Sequence, residues 1–354
     1  MAKEIDYSKR KTVWSIILTL LCVVLCLAII LVAFPISTYI PRAGIKGTDY
    51  NSEAVLANKY ITKNVNVVAH RGGSVEAPEN TLMAYKSLLT TNGVEGTAIE
   101  IDVRLTKDGQ LAVAHDETLD RTSNCVQLGY KKCKISDYSL SELKQFNLGY
   151  NFQDKENGEY VYRDADEATL KDLRLCTLQD VFTAAKQIAE EQGKTIQDIT
   201  FYVDIKDGGD RGCVAATKVY NALKAYKVVS NTVVECFTDS VALYIDSNIN
   251  KSDVKPSQRM IRSASDFEIW QFYFCCMFNI DLNKKNVKYS VLSLPYRSMG
   301  ISFAKSPIVD YAHKYGIAVA YWTVNDPVEL AYVESVGADA IITDNAYKAI
   351  RMFS

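Results

Sequence analysis

The sequence predicts an α/β protein, and two observations lead to this prediction. Short apolar runs, rich in Val, Ile and aromatic residues, are typical of buried parallel strands. The longer segments between them carry apolar residues at three- and four-residue spacing, as amphipathic helices do. Strand–helix units repeated over roughly 280 residues form either a closed eight-unit barrel or an open doubly wound sheet, and the pattern favours the barrel only slightly.

The strand-like and helix-like segments can be placed individually. We predict strands at Asn66–Ala69, Ala98–Val103, Leu111–Ala114, Phe201–Ile205, Val233–Phe237, Arg259–Arg262, Val291–Leu294, Ile317–Trp322 and Ala340–Thr343. We predict helices at Thr81–Thr91, Leu178–Gln192, Gly212–Tyr226, Ser240–Asn248, Ser306–Tyr315 and Val328–Val336. Asn80 is the expected N-cap of the first helix and Ser306 that of the fifth, with Pro307 at the first helical position.

One polar stretch, from about residue 120 to residue 174, interrupts the alternation. It is rich in Tyr, Asn, Asp and Lys and contains one short helix-like piece, Leu140–Phe146. A tract of this size within a compact domain is usually functional or mobile. We therefore predict an insertion that stands over one end of the sheet.

The overall composition bounds the class of protein. The chain has 354 residues, of which 48% are hydrophobic, and this suits one large α/β domain with additions. Its net charge of -2 and the lack of a basic stripe argue against a nucleic-acid partner. With 23% charged residues, wholesale disorder is not expected. The oligomeric state does not follow from these features.

The N-terminal region is unlike the rest of the chain. An uncharged apolar run extends from Val13 to about Phe34, with Trp14 near one end. A bilayer-spanning helix needs about 20 apolar residues, and aromatic rings favour the membrane interface. A cleavable signal peptide is the alternative, but its apolar core is usually shorter and ends in a small-x-small site, which is not evident before Pro35. We therefore predict a transmembrane helix at 13–35.

The basic residues in front of this run predict the orientation. Lys9, Arg10 and Lys11 precede the apolar segment, and positive charges flanking a membrane helix favour the cytoplasmic side. Residues 1–12 are then cytoplasmic, and the rest of the chain faces outward from the cell membrane. Residues 36–63, which contain Pro41, Gly44 and Gly47, are predicted to be a linker, and residues 64–354 the folded domain.

The cysteines leave one question open. Of nine cysteines, Cys22 and Cys26 lie in the apolar run, and the other seven form no Cys-x-x-Cys pair, so a zinc site is not indicated. Cys125 and Cys133 are close enough in sequence to close a small loop by a disulfide in an outward-facing domain. The alternative is that both are free, buried thiols that pack as small hydrophobes.

Charged residues collect at the ends of the predicted strands. Two of the three histidines, His70 and His115, follow apolar runs directly. Glu100 and Asp102 end a third run, and since residues two apart in a strand face the same side, they project together. Two carboxylates on one face of an apolar strand are costly inside a core unless a cation compensates them. Magnesium and calcium prefer such oxygen ligands.

Two cationic residues accompany this group. Arg71 follows His70, and its planar guanidinium matches two phosphate oxygens. Asp204 and Lys206 share a face of a later strand. A cation and Arg71 would neutralise a phosphate diester, and two imidazoles could remove one proton and deliver another. These residues together indicate metal-assisted cleavage of a phosphodiester.

The same residues resemble a known family. The stretches VVAHRGGSVEAPENTLMAY and AIEIDVRLTKDGQLAVAHDETLDRTSN are similar to the signature of the glycerophosphodiester phosphodiesterases. The segments CTLQDVF, YVDIK, YWTVND and ADAIITDNA are weaker matches to later parts of the family pattern. The resemblance covers about residues 65–350. It implies a TIM (β/α)8 barrel with an insertion after the second strand, where the polar stretch lies.

The resemblance also implies a role for each matched residue and a reaction. His70 and His115 correspond to the acid/base pair. The roles of the other residues would be metal binding by Glu100, Asp102 and Asp204, phosphate contact by Arg71 and Lys206, ordering of the first loop by Glu79, and lining of the alcohol pocket by Trp322. The family requires one divalent cation, magnesium or calcium. It cleaves glycerophosphodiesters into glycerol 3-phosphate and an alcohol.

Two departures keep alternatives open. The third metal ligand of the family is more often Glu, whereas this chain has Asp204, as do related barrel enzymes of the lysophospholipase D and sphingomyelinase D kind. The second departure is the unusually apolar run IWQFYFCCMFNI, which is either an overlong core helix or a surface that touches lipid. A lysophospholipid substrate is therefore one alternative, and a non-catalytic, membrane-tethered binding protein is another.

Overall fold

The computed structural model describes residue 24 and residues 47–155, 157–283, 286–298 and 301–354. The predicted cytoplasmic N-terminus at 1–12 and the predicted transmembrane helix at 13–35, apart from residue 24, lie outside the described residues. Among the residues that are described, no helix is both long enough and apolar enough to cross a bilayer.

The strands form a closed barrel. Their bounds are β1 Asn66–Ala69, β2 Ala98–Leu105, β3 Leu111–Val113, β4 Thr200–Ile205, β5 Thr232–Glu235, β6 Ile261–Arg262, β7 Val291–Pro295, β8 Arg297–Ser298, β9 Ile301–Ser302, β10 Ala318–Trp322 and β11 Ala340–Thr343. The wall is parallel, in the order β6-β5-β4-β2-β1-β11-β10-β7. A parallel bridge between Ser263 and Val291 joins its two ends. The structure therefore has the closed barrel and not the open sheet.

A helix follows each of the wall strands. The helices are α1 Glu53–Leu56, α2 Leu82–Asn92, α3 Leu140–Leu143, α4 Glu167–Leu173, α5 Leu178–Glu191, α6 Gly209–Tyr226, α7 Asp239–Tyr244, α8 Asp266–Met277, α9 Ser306–Lys314, α10 Pro327–Ser335 and α11 Ala346–Phe353. α7 continues into one π-helical turn, Ile245–Ile249. β2 and α5 are the strand and the helix of the second strand–helix unit. β3, α3 and α4 lie between them in the chain, so the insertion lies within this unit.

The two predicted caps are wrong. The N-cap of α2 is Thr81, whose hydroxyl accepts a hydrogen bond from the backbone N–H of Ala84. Asn80 instead has a positive φ of 57°, and its side-chain amide donates to Asp102 Oδ2 at 2.7 Å. Ser306 is the first residue of α9 and not its cap, a position that Lys305 occupies.

The end of the barrel interior at the strand starts, with its floor, is apolar. Inward-facing residues such as Tyr202, Val233 and Ala320 form one buried cluster with residues from the segment before β1. Tyr60 and Ile61 of that segment are buried against the strand starts. The amide of Asn58 donates hydrogen bonds to the carbonyls of Ser290 and Gly316, 2.8 and 2.9 Å away. The described part of the predicted linker, residues 47–63, thus covers the floor of the barrel.

The insertion has a small core of its own. Leu119, Leu143 and Phe146 are buried there with apolar residues that flank β3. Cys125 and Cys133 lie in the same cluster as buried free thiols, which is the alternative to a disulfide. The insertion therefore packs as a compact lobe between β3 and α5.

Candidate active site

The carboxyl ends of the wall strands surround a cavity. In a parallel barrel all these ends meet at one face, and catalytic residues of such folds come from several strand ends. The residues that line the cavity are His70, Arg71, Glu100, His115, Asp204, Lys206, Glu235, Phe237, Trp322, Thr323 and Ile342. Side chains expected from the sequence to act together are therefore brought together by the fold.

Three carboxyl groups form a buried cluster. Each of Glu100, Asp102 and Asp204 offers an oxygen atom, and these atoms all lie within 4.8 Å of one another. Asp102 of β2 pairs in register with Asp204 of β4, so the two side chains point inward at the same level of the barrel. The sequence prediction that these three acids gather is confirmed in geometry.

Two cations hold the cluster in place. Lys206 Nζ donates to Asp204 Oδ2 at 2.6 Å and lies 3.0 Å from Asp102 Oδ1. The Arg71 guanidinium lies 3.3 Å from Asp102 Oδ2, and the backbone N–H of Arg71 donates to Glu100 Oε2 at 2.7 Å. A matched positive charge at this depth offsets part of the desolvation cost of the acids.

The acids differ in how readily they lose a proton. Burial raises the pKa of Glu100 well above its usual value, and the neighbouring Asp102 adds to this. Burial also raises the pKa of Asp204, against the effect of Lys206. At Asp102 burial acts in the same direction, but Lys206 and Arg71 outweigh it and hold the pKa below the usual range. The cluster thus keeps Asp102 ionised most firmly.

The donor set fits a divalent cation. Asp204 Oδ1 is buried and has no hydrogen-bond partner, although buried carboxylate oxygens normally have one. Carboxylate oxygens are the ligands that magnesium and calcium prefer. Glu100, Asp102 and Asp204 are therefore a group that could hold such an ion, which would give the unpartnered oxygen of Asp204 a partner.

Each of the two cavity histidines is oriented by its own carboxylate. His70 Nδ1 lies 2.7 Å from Asp344 Oδ1, and His115 Nδ1 lies 2.7 Å from Asp116 Oδ1. Because both rings donate from Nδ1, both present Nε2 as the atom free for proton transfer. Burial lowers the pKa of His115, although Asp102 and Asp116 act in the opposite direction.

A chain of ion pairs connects the first loop to the insertion. Glu79 accepts from Arg71 at 2.9 Å, and its two oxygens also accept from Arg121 at 2.7 Å each. Arg121 in turn donates from Nε to Asp116 at 2.6 Å. Glu79 therefore fixes Arg71 of the first loop, and the insertion contributes Arg121 to the positioning of His115.

Trp322 lies at the end of β10 and lines the cavity beside a second aromatic residue. Its ring packs edge-on against Phe237, with ring centroids 5.8 Å apart. The Trp322 Nε1–H is buried without a hydrogen-bond partner. The two rings give the cavity an apolar part of its wall.

Sequence reasoning missed three residues of this site: Asp344, Arg121 and Glu235. Glu235 pairs in register with Asp204, so it points inward at the same level. Burial, followed by the nearby Asp204, raises the pKa of Glu235 to about 8. The alternation rule that located Glu100 and Asp102 could have found it, since Glu235 is the one acid in an otherwise apolar run.

Comparison with known proteins gives one consistent answer. Residues 70–348 match the model of the glycerophosphoryl diester phosphodiesterase family. The glycerophosphodiester phosphodiesterase of Caldanaerobacter subterraneus is 28% identical over 286 residues, which is 81% of this chain and 96% of the relative. The mouse glycerophosphodiester phosphodiesterase 1 is 26% identical over 299 residues, or 79% of this chain and 78% of the relative.

A solved structure shows the same fold. The phosphodiesterase of Oleispira antarctica, in complex with the product sn-glycerol-3-phosphate, superposes with a TM-score of 0.58 at 18% identity, over 81% of this chain and 96% of its own. The family match spans most of the chain and includes both cavity histidines and all three acids of the cluster. The chain therefore belongs to the glycerophosphoryl diester phosphodiesterase family and is a phosphoric diester hydrolase.

Proposed function

We propose that this protein hydrolyses glycerophosphodiesters to glycerol 3-phosphate and an alcohol, using one divalent cation, magnesium or calcium. The observation that carries the proposal is the pair of histidines on one cavity, each held through Nδ1 by a separate carboxylate at 2.7 Å. Two rings with free Nε2 atoms, next to an acidic cluster and two cations, suit a reaction that moves two protons around an anionic phosphate.

In the proposed reaction, the residues that line the cavity have different roles. Arg71 and Lys206 contact the phosphate oxygens and offset the negative charge that repels a nucleophile. One histidine removes a proton from the attacking oxygen, and the other delivers a proton to the leaving alcohol. Trp322 and Phe237 form the wall against which the alcohol part packs, and they exclude water from that side.

Glu100, Asp102 and Asp204 would hold the cation. When bound there, it supplies positive charge to the phosphate and lowers the pKa of an oxygen attached to it. The attacking oxygen comes either from water or from the substrate's own glycerol hydroxyl. Analysis of early products for a cyclic phosphate distinguishes the two routes.

The direct test uses purified protein, glycerophosphocholine and either magnesium or calcium. Release of glycerol 3-phosphate and choline, lost in excess chelator and restored by the metal, is the expected result. Full activity in excess chelator would remove the cation from the mechanism. No turnover of any glycerophosphodiester with either metal would contradict the proposal.

A lysophospholipase D reaction is the second candidate, favoured by Asp204. The aspartate is one methylene shorter than the glutamate more usual in the family, so the cation would be held differently at this position. Parallel assays of glycerophosphocholine and lysophosphatidylcholine separate the candidates, because a lysophospholipase D prefers the acylated substrate.

We also propose that the reaction takes place on the outer side of the cell membrane. The uncharged run at 13–35 supports a single-pass anchor in the cell membrane, with 1–12 in the cytoplasm and the barrel outside. Accessibility of Cys213, a partly exposed cysteine on α6, to an impermeant thiol reagent on intact cells tests this orientation. Labelling only after cell lysis would contradict it.

A further inference from the structure

One face of α8 carries an unusual row of exposed aromatic residues. Phe267, Trp270, Phe274 and Phe278 have 66%, 53%, 52% and 49% of their surface exposed. Their spacing of three, four and four residues places them on one side of the helix and its end, and we call them the aromatic stripe. The opposite side of α8, with Phe272 and Cys276, is buried against the barrel.

This arrangement is not explained by the fold. A surface helix normally turns charged or polar residues to water, whereas here the core-facing and water-facing sides are both apolar. Contiguous exposed apolar patches mark surfaces that contact a partner or a membrane. The apolar run IWQFYFCCMFNI therefore serves both purposes, since one side of α8 packs in the core and the other side is an exposed apolar surface.

The described stretch that starts at Gly47 begins against α9, the helix that neighbours α8. Thr48 is fastened to α9, since its N–H donates to Asp310 Oδ1 at 2.9 Å and its hydroxyl lies 2.7 Å from His313 Nδ1. α9 packs directly on α8, where the rings of Tyr311 and Phe272 have centroids 5.3 Å apart. The segment that leads from the N-terminus therefore reaches the barrel at α9, one helix away from the aromatic stripe on α8.

The length of the preceding chain limits how far the barrel can move from an anchor. Residues 36–46 connect the predicted membrane helix to Gly47, and eleven extended residues span at most roughly 40 Å. A tether of this reach is comparable to the diameter of the domain. A tether this short allows α8 to contact the bilayer surface into which 13–35 would insert.

We propose that the aromatic stripe docks on the phospholipid bilayer that anchors this chain. The inference rests on the membrane anchor put forward under the proposed function. Aromatic rings favour the boundary between lipid headgroups and acyl chains, and tethering raises their effective concentration there. The barrel then lies on its side against the membrane, with α8 between the bilayer and the core.

Docking in this orientation places the active site near lipid. The N–H of Asp266, at the start of α8, donates to the carbonyl of Phe237 at 2.9 Å, and Phe237 lines the cavity. Phe267 follows directly and is the first residue of the stripe. A diester that leaves the bilayer at this point meets the apolar wall of the cavity first.

The test uses the full-length chain in vesicles of phosphatidylcholine and phosphatidylglycerol, with or without bromine on the acyl chains. The sequence has three tryptophans, so Trp14→Phe with Trp322→Phe leaves Trp270 as the reporter. We expect its emission to be quenched by brominated lipid. Phe267→Ser with Phe274→Ser should abolish that quenching, whereas Val328→Ser, which changes an exposed residue on α10, should preserve it.

Other results overturn the proposal in distinguishable ways. A companion protein that keeps only Trp14 reports on the anchor. Quenching of Trp14 without quenching of Trp270 shows an anchored barrel whose stripe does not touch lipid. If neither Trp14 nor Trp270 is quenched, the membrane anchor is rejected together with the docking of the stripe. Shielding of Trp270 from aqueous acrylamide without bromine quenching assigns the stripe to a protein contact, such as a second copy. Turnover of glycerophosphocholine by the unaltered chain, measured in the same vesicles, tests the hydrolase proposal independently.

Discussion

His70 and His115 owe their arrangement to different parts of the chain. His115 is oriented by its sequence neighbour Asp116, but His70 is oriented by Asp344, which lies 274 positions away and meets it only because β1 and β11 are adjacent in the barrel. Both histidines could be found from the sequence, since they follow apolar runs. The partner of His70 could not be found from strand patterns alone, because it depends on barrel closure.

Replacing either histidine tests their proposed roles. We expect His70→Ala and His115→Ala each to lower turnover by about 10²–10⁴-fold, the usual worth of general acid–base catalysis. Circular dichroism should show an unchanged fold, since both side chains border the cavity. A variant with a rate like that of the unaltered protein would remove that histidine from the mechanism.

Asp344→Asn tests whether orientation of His70 matters. The amide cannot stabilise a charged ring as the carboxylate does, so we expect kcat to fall by about tenfold or more while KM changes little. Ser74→Ala is the matched control, because it removes only the 2.6 Å hydrogen bond that Ser74 donates to Asp344. Equal losses in the two variants would indicate a structural role for Asp344.

Glu76 makes the stability of the fold depend on pH. Burial raises its pKa from 4.5 to about 7, against the opposing effect of the Tyr347 N–H. The folded protein therefore retains a proton that the unfolded chain releases, and stability falls as pH rises from about 4.5 to about 7. We expect Glu76→Gln to be more stable than the unaltered protein at pH 8, with the difference disappearing towards acid pH.

Urea unfolding at several pH values measures this effect. Glu159→Gln, which changes an exposed glutamate of the insertion, is the control and should follow the unaltered protein at every pH. A Glu76→Gln variant whose advantage is the same at acid and alkaline pH would show that Glu76 keeps its ordinary proton affinity in the fold.

At the scale of single elements, β1 and β11 have the predicted bounds, because runs of Val, Ile and Ala bordered by polar residues mark where burial begins and ends. The sequence predicts Asn80 as the cap of α2 because asparagine is a frequent cap, but Asn80 has a left-handed conformation and bonds to Asp102. The sequence does not predict α1, because nearby Pro and Gly residues indicate a connector. Residues that follow α1 are buried against strand starts that are distant in sequence, and a local pattern does not show such contacts.

Gly316 shows how closely α1 packs on the barrel. It has a φ of +73°, and an added Cβ would lie 2.6 Å from the carbonyl oxygen of Ala54. We expect Gly316→Ala to destabilise the protein through both backbone strain and displacement of α1, together at least about 1–3 kcal/mol. Gly96→Ala is the control for strain alone, since Gly96 has a φ of +74° with nothing within 4 Å.

Comparing the two alanine variants separates the effects. Hydrogen exchange should quicken in residues 53–61 of Gly316→Ala but not in Gly96→Ala, because only the first variant pushes on the floor segment. Equal destabilisation of the two, with no change in exchange at 53–61, would mean that α1 adjusts without cost.

For the whole molecule, strand and helix patterns left a barrel and an open sheet both possible, because both place a helix after each parallel strand. The distinction lies where the two sheet ends meet, at the Ser263–Val291 bridge and the hydrogen bond from the Ala264 N–H to the carbonyl of Val291. The family resemblance implied the barrel where periodicity did not. Similarly, the three-acid cluster was predictable from the alternation of residues in β2 and β4. Its fourth acidic neighbour, Glu235, could be placed only from the register between β4 and β5.

Cation binding should stabilise the entire fold. An ion that binds the folded but not the unfolded chain raises stability as its concentration exceeds its Kd. We expect calcium or magnesium to raise Tm and a chelator to reverse the change, as measured by differential scanning calorimetry. Asp204→Asn should reduce this shift, whereas Glu334→Gln, a change to an exposed residue on α10, should not. An unchanged Tm at saturating concentrations of both metals would contradict the cation site.

The floor segment has a practical consequence for shortening the protein. The family match begins at residue 70, which invites truncation just before β1. Such a version would lack Val55, Tyr60 and Ile61 and would open the apolar base of the barrel to water, favouring aggregation. A soluble enzyme for crystallisation should therefore start no later than Gly47, so that Thr48 can still fasten to α9.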